Sequence, residues 1–322
     1  MKFVQLKKYL ANGESDPAYL VCGEDAYFRN KSVEFLKERF VTEPAINAAV
    51  FEGESVLSDP EDFFAALYAY PFLSEKRMVT VREFYPKTDF CNGKFKEYLE
   101  NPAPETVLVI ENSRICEPLK KTGKLTLIDC EKGESDLLSR WIVNECAKSG
   151  VTIGRAEAEK IAEYSLRDMT KISGEVAKLT AFAGTGGTIG AEDIENLVVK
   201  DTEYQIYELT EWIGKKNTGK AWMILKEMEA KGEPPQRLLV SIYNYFRRLL
   251  HISLSTLSDG ELAGIFGIKE YAVKKLRVLA RSFRKKDLKR ATDVLAESDY
   301  AAKSGKADFE TALNNAILEI LI

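Results

Sequence analysis

The spacing of apolar residues changes character along the chain. From residue 1 to about residue 130, short apolar runs alternate with segments whose apolar residues recur every three or four positions. Phe3, Leu6 and Leu10 share one side of a helix that the pattern ends at Asn12-Gly13. Tyr19-Leu20-Val21-Cys22 reads as a buried strand and Gly23-Glu24-Asp25 as a turn. Ala26 to Phe40 reads as a helix with Phe28, Val33, Leu36 and Phe40 inward. Further strands are predicted at Ala48 to Phe51, Arg77 to Arg82, Thr106 to Glu111 and Leu125 to Asp129, with helices at Lys94 to Leu99 and Pro118 to Lys121. Thr106 to Glu111 is apolar on both faces, as a central parallel strand covered by helices would be. The alternation of strands and helices predicts a parallel α/β sheet.

After Gly133 the strand signal fades. Helices are predicted from Ser135 to Gly150, Ala156 to Tyr164, Asp168 to Phe182 and Thr188 to Val199, with Gly184-Thr185-Gly186-Gly187 as a flexible connection. From Tyr204 onward the period stays helical, and Pro234-Pro235 opens a long apolar helix through Leu239, Ile242, Tyr243, Phe246 and Leu250. Later helices are expected at Asp259 to Phe266, Tyr271 to Ala280, Lys286 to Ala302 and Phe309 to Leu321. Three segments result: an α/β domain over 1–133, a small helical domain over 134–202 and an all-α domain over 203–322.

Within the first segment, Asp59 to Arg77 stands apart. Asp59 suits a helix cap and Pro60 the first helical position. Phe63, Phe64, Leu67 and Tyr68 recur at helical spacing, and Pro71 forces Tyr70 out of helical geometry. Phe72 and Leu73 then lie at a helix end beside the polar turn Ser74-Glu75-Lys76-Arg77. Spacing alone favours a hydrophobic turn folded onto the core. The alternative is an aromatic and aliphatic plug for a partner's pocket.

Composition narrows the function class. Of 322 residues, 45% are hydrophobic and 30% charged, as in an ordinary soluble protein, and the net charge of −4 gives no global attraction to nucleic acid. No run approaches a membrane span, the N-terminus lacks signal-peptide character, and a cytoplasmic protein is expected. Cys22, Cys91, Cys116, Cys130 and Cys146 are scattered, which suggests neither a zinc site nor a disulfide framework. The single histidine, His251, lies in an apolar run and reads as a packed residue rather than a catalytic base.

An α/β domain followed by a helical lid is the layout of an AAA+ module. An active module carries a glycine-rich loop ending in Lys-Ser/Thr after its first strand, where backbone amides, lysine and hydroxyl hold phosphate and Mg²⁺. Here that position reads Gly23-Glu24-Asp25-Ala26-Tyr27-Phe28-Arg29-Asn30, and the central strand ends in Ile110-Glu111-Asn112-Ser113 in place of an Asp-Glu pair. Hydrolysis, bound cofactor and metal are therefore not expected, and no residue is assigned a catalytic role.

Several motifs in order resemble the delta subunit of the bacterial DNA polymerase III clamp loader. Tyr19 to Phe28 is similar to that family's opening, where Gly-Glu-Asp replaces the phosphate loop. Tyr70-Pro71-Phe72-Leu73-Ser74-Glu75-Lys76-Arg77-Met78-Val79 resembles its clamp-contacting element. Asp168-Met169 with Glu175 to Leu179, Thr188-Ile189 with Glu192-Asp193-Ile194, and Gly232-Glu233-Pro234-Pro235 with Tyr243 and Phe246-Arg247 resemble its lid and collar. The resemblance implies an AAA+/RecA-like α/β domain, a lid, and a collar that joins a clamp-loader ring. It also implies a non-hydrolysing subunit in an assembly classed with DNA-directed DNA polymerases. The implied partners are the sliding (beta) clamp, ATPase subunits of gamma or tau type, a delta-prime-type subunit and primed DNA, with no membrane. Tyr70, Pro71, Phe72 and Leu73 would contact the clamp, and the resemblance turns the reading of that stretch to the plug.

Basic residues cluster near the C-terminus: Lys269, Lys274, Lys275, Arg277, Arg281, Arg284, Lys285, Lys286, Lys289 and Arg290, with Glu270 and Asp287 as local acids. Lys274, Lys275, Arg277, Arg281 and Arg284 are the candidates for template phosphate contact. The competing reading is a solvated face of two helices. Tyr271 and Phe283 are better placed to pack than to stack a base. Two rival functions remain: a divergent AAA+ ATPase, and a free-standing DNA-binding protein that uses this basic segment.

Overall fold

The computed structural model describes residues 1–268 and 270–321; Lys269 and Ile322, and the side chain of Val4, lie outside the described residues. The chain forms two compact units, Met1–Val199 and Lys200–Ile322.

The first unit opens with α1 (Phe3–Ala11), β1 (Ala18–Cys22) and α2 (Ala26–Phe40), followed by α3 (Pro44–Asn47) and β2 (Ala48–Glu52). Two helices, α4 (Gly53–Ser58) and α5 (Glu61–Tyr68), lead to β3 (Arg77–Arg82). Then come α6 (Thr88–Asn92), α7 (Lys94–Glu100), β4 (Thr106–Asn112), α8 (Glu117–Lys121) and β5 (Thr126–Asp129). The five strands are all parallel, in the order β2-β3-β4-β1-β5. β4 is the middle strand and is buried along its whole length, as its two apolar faces require. Phe63 and Leu67 of α5 pack with Phe84, Phe95 and Leu108 in one core cluster, so the helix that precedes the exposed turn is anchored in the sheet's own core.

A helical segment completes this unit: α9 (Ser135–Lys148), β6 (Thr152–Ile153), α10 (Arg155–Tyr164), α11 (Met169–Ala183), β7 (Thr188–Ile189) and α12 (Ala191–Leu197). Two features depart from the sequence reading. The two-residue strands β6 and β7 pair in parallel, and Gly184 to Gly187 is a hydrogen-bonded turn rather than a loose connection. Gly186 N–H donates to the Gly150 carbonyl at 2.8 Å, and Thr152 N–H donates to the Gly187 carbonyl at 2.9 Å.

The second unit is entirely helical among the described residues: α13 (Thr202–Gly214), α14 (Thr218–Ala230), α15 (Pro235–Leu254), α16 (Asp259–Phe266), α17 (Glu270–Ala280), α18 (Lys285–Lys303) and α19 (Phe309–Leu321). Its core gathers Leu239, Ile242, Phe246 and Leu249 of α15 with Leu288, Leu295, Leu313 and Ile317. Among the described residues no helix is long and apolar enough to cross a membrane.

Candidate functional site

The turn between α5 and β3 presents apolar side chains to solvent. Tyr70 is 82% exposed, Phe72 59% and Leu73 83%, whereas Leu67 and Phe63, about one and two turns earlier, are buried. The helix ends sooner than Pro71 alone demands: Tyr68 is its last residue and Ala69 is already extended, with φ −73° and ψ 142°. Its start also differs by one residue. Pro60 is the capping residue, and the Asp59 carboxylate accepts the Glu61 N–H at 3.2 Å. Leu73 lies in the left-handed region, with φ 50°. That conformation is costly for a residue with a Cβ.

The residue that holds this turn is Asn47, which the sequence reading did not single out. Asn47 is 2% exposed, at the end of α3 where edge strand β2 begins. Its carboxamide oxygen accepts the Phe72 N–H at 2.8 Å, and its amide nitrogen donates to the Phe72 carbonyl at 3.0 Å and to the Thr42 carbonyl at 2.9 Å. Ser74 Oγ donates to the Lys76 carbonyl at 2.8 Å. The only local signal for Asn47 was a polar residue directly before the apolar run Ala48-Ala49-Val50-Phe51.

At the place of the missing phosphate loop the structure is closed by its own side chains. Gly23 has φ 151°, and an added Cβ there would come within 2.2 Å of the Cys130 carbonyl carbon. Asp25 is 4% exposed and turned inward. One carboxylate oxygen caps α2 by accepting the Phe28 N–H at 3.1 Å, and the other accepts the Met169 N–H of α11 at 3.2 Å. Burial pushes the Asp25 pKa up, and those two backbone donors pull in the opposite direction. Arg29 donates to the Gly23 carbonyl, and its Nε lies 3.7 Å from Glu111, which Arg82 approaches to 3.5 Å. Glu111 is thus a buried ion-pair residue.

The C-terminal basic cluster is more neutralised than its local sequence suggests. Lys274 pairs with Glu270 at 2.7 Å, and Arg284 binds Asp287 through two bonds of 2.8 and 2.9 Å. Two further acids contribute: Asp259, 18 residues away, takes Arg277 at 2.6 Å, and Asp293, one turn along the same helix, takes Lys289 at 2.7 Å. Lys275 stands 5.2 Å from the Tyr271 ring centre, and Arg290 donates to the Glu319 carbonyl. Arg281, Lys285 and Lys286 are exposed. Phe283 packs edge-on against Phe246 at 5.9 Å, as expected of a core residue. His251 meets Phe266 edge-on at 5.2 Å.

Known proteins place this fold. The model of the family described as DNA polymerase III, delta subunit, matches residues 19–128, and that of the DNA polymerase III delta subunit, C-terminal domain, matches residues 203–320. A Bacillus subtilis (strain 168) protein named DNA polymerase III subunit delta is 25% identical over 98% of this chain and 95% of its own length. The solved structure of a Bacillus subtilis DNA clamp loader delta protein covers 99% of this chain and 99% of its own, with 25% identity and a TM-score of 0.74. With two of its models matched in order along the chain and a solved clamp loader delta protein alike over 99% of both chains, the chain belongs to the DNA polymerase III delta subunit family.

Proposed function

We propose that this chain grips and opens a ring-shaped sliding clamp for loading onto primed DNA, without hydrolysing ATP itself. The observation that carries the reading is the turn at Tyr70-Pro71-Phe72-Leu73, where three large apolar side chains stand in solvent and the Phe72 backbone is held by the buried Asn47 side chain. Burying the exposed parts of Phe72 and Leu73 in a partner's pocket would contribute about 2–4 kcal/mol before association costs. Opening follows if the bound tip fits the sprung clamp protomer better than the closed one, because a ligand shifts an equilibrium only by its differential affinity. The inward-turned Asp25 and the Arg29–Glu111 pair support a subunit that leaves hydrolysis to its neighbours.

On this reading residues 134–202 form the lid and 203–322 the collar that joins the other loader subunits. Arg281, Lys285 and Lys286 then offer the least neutralised charge for template phosphates, ahead of Lys274, Arg277 and Arg284. The test is the double variant Phe72→Ala with Leu73→Ala, assayed against a bacterial sliding clamp by pull-down and equilibrium titration. Loss of clamp binding with an unchanged unfolding transition is expected. Wild-type affinity in that variant would overturn the proposal.

A further inference from the structure

We infer that Asn47 is the positioning residue of the apolar tip: its side chain preforms the Phe72 backbone for the partner while touching no partner itself. The inference rests on the clamp-binding reading given above. Residues 69–76 run between α5 and β3, and their described hydrogen bonds to the rest of the unit come from two side chains. One is Asn47. The other is Ser74, whose Oγ accepts the Thr42 N–H at the long distance of 3.4 Å.

Asn47 acts on the peptide as a neighbouring strand would, giving and taking one bond at the same residue. The unit uses the device a second time. Asn112 of β4 accepts the Phe84 N–H and donates to the Phe84 carbonyl, both at 2.8 Å, and there it fixes a core residue. At Asn47 the clipped residue is instead one whose side chain projects into solvent. A buried amide that holds an exposed phenylalanine does little for the packing of the free protein. It removes backbone freedom that a partner would otherwise have to freeze on binding.

The kinetic consequence separates Asn47 from the contact residues. If releasing the clip lowers the fraction of molecules in the binding-competent form, apparent affinity falls by that fraction. The loss then appears in the association rate, whereas truncating Phe72 or Leu73 appears in the dissociation rate. An Asn47→Ala variant should bind the clamp about tenfold or more weakly, mostly through slower association. Asn47→Asp keeps the acceptor for the Phe72 N–H but loses both donors, so it should fall between the two.

The experiment measures clamp association and dissociation for wild type, Asn47→Ala, Asn47→Asp and Phe72→Ala with Leu73→Ala, together with amide exchange in the wild-type protein. The expected result is slowed association for the Asn47 variants, and a Phe72 amide that exchanges more slowly than the Leu73 amide. Unchanged association in Asn47→Ala overturns the inference. So does a wild-type Phe72 amide that exchanges at the rate of an unprotected chain, a result that needs no variant to fold. Undiminished binding in the Phe72/Leu73 variant instead refutes the clamp reading, and the exchange data then still decide the clip.

Discussion

Leu73 allows stability and partner binding to be pulled in opposite directions. Its backbone is left-handed, with φ 50°, which costs a residue with a Cβ about 1–2 kcal/mol. Glycine has no such penalty, although its extra freedom in the unfolded chain takes back about 0.5–1 kcal/mol. The Leu73 side chain is 83% exposed, so its removal takes little packing from the free protein. Leu73→Gly should therefore be as stable as wild type or more stable by up to about 1 kcal/mol, and Leu73→Ala should match wild type because it keeps the same strain. Binding should follow the reverse order. Both variants lose an apolar contact of about 1.5–3 kcal/mol, or roughly ten- to a hundredfold in Kd, and glycine also loosens the tip. Urea unfolding and clamp titration of the three proteins make the comparison. If Leu73→Gly were less stable than Leu73→Ala, the left-handed backbone would not be the source of strain. If either variant bound the clamp like wild type, Leu73 would not be part of the contact.

Other consequences can be measured separately. Asp25→Ala removes the α2 cap and the bond to the Met169 N–H, and should lower the unfolding free energy by about 2 kcal/mol; an unchanged urea midpoint would show that the α2 and α11 termini do not depend on it. Burial pushes the Cys22 and Cys91 thiols up to about 11 and Cys130 up to about 12, against an ordinary value of 9.0. The unfolded chain sheds these protons first, so stability present below pH 9 should be lost as pH rises through 11 and 12, and a stability profile flat from pH 8 to 11 would refute the assignment. In the assembled loader, replacing Arg281, Lys285 and Lys286 together by alanine should flatten the log–log salt dependence of DNA affinity by about 2. An unaltered slope would remove them from the phosphate path.

Most of the fold was legible because its signals are local. β3 falls where its β-branched run places it, and α2 begins and ends at the residues set by Asp25 and the apolar period. The errors lie where distant residues decide. Pro71 restricts only Tyr70, whereas the helix ends after Tyr68, and the bond that fixes the following Phe72 comes from Asn47, 25 residues away. Strands β6 and β7 have two residues each, too short for any period to register. The basic stretch looked opposed only by Glu270 and Asp287 because Asp259 lies 18 residues from Arg277. For the site, the exposed aromatic and aliphatic residues could be named from sequence, while the amide that positions them could not. One asparagine before a strand has no pattern until its partner is known.

The two ends of the first unit differ in how their polar groups are satisfied, and the difference bears on where function resides. Around Gly23 every feature closes inward: Asp25 joins two helix starts, Arg29 reaches the Gly23 carbonyl and Glu111, and the glycine leaves no room for a Cβ. A phosphate there would have to displace an anion the chain supplies itself. At the α5–β3 turn the balance is reversed. Hydrogen-bonding capacity and backbone strain are committed to a segment whose largest side chains gain little from the fold. Such strain persists only where the surroundings over-determine it. A turn with only a connecting role would accept glycine or asparagine at 73 and polar residues at 70 and 72 at no cost to the core. The arrangement makes physical sense if the missing contacts lie on another molecule, as in the clamp contact proposed for this tip.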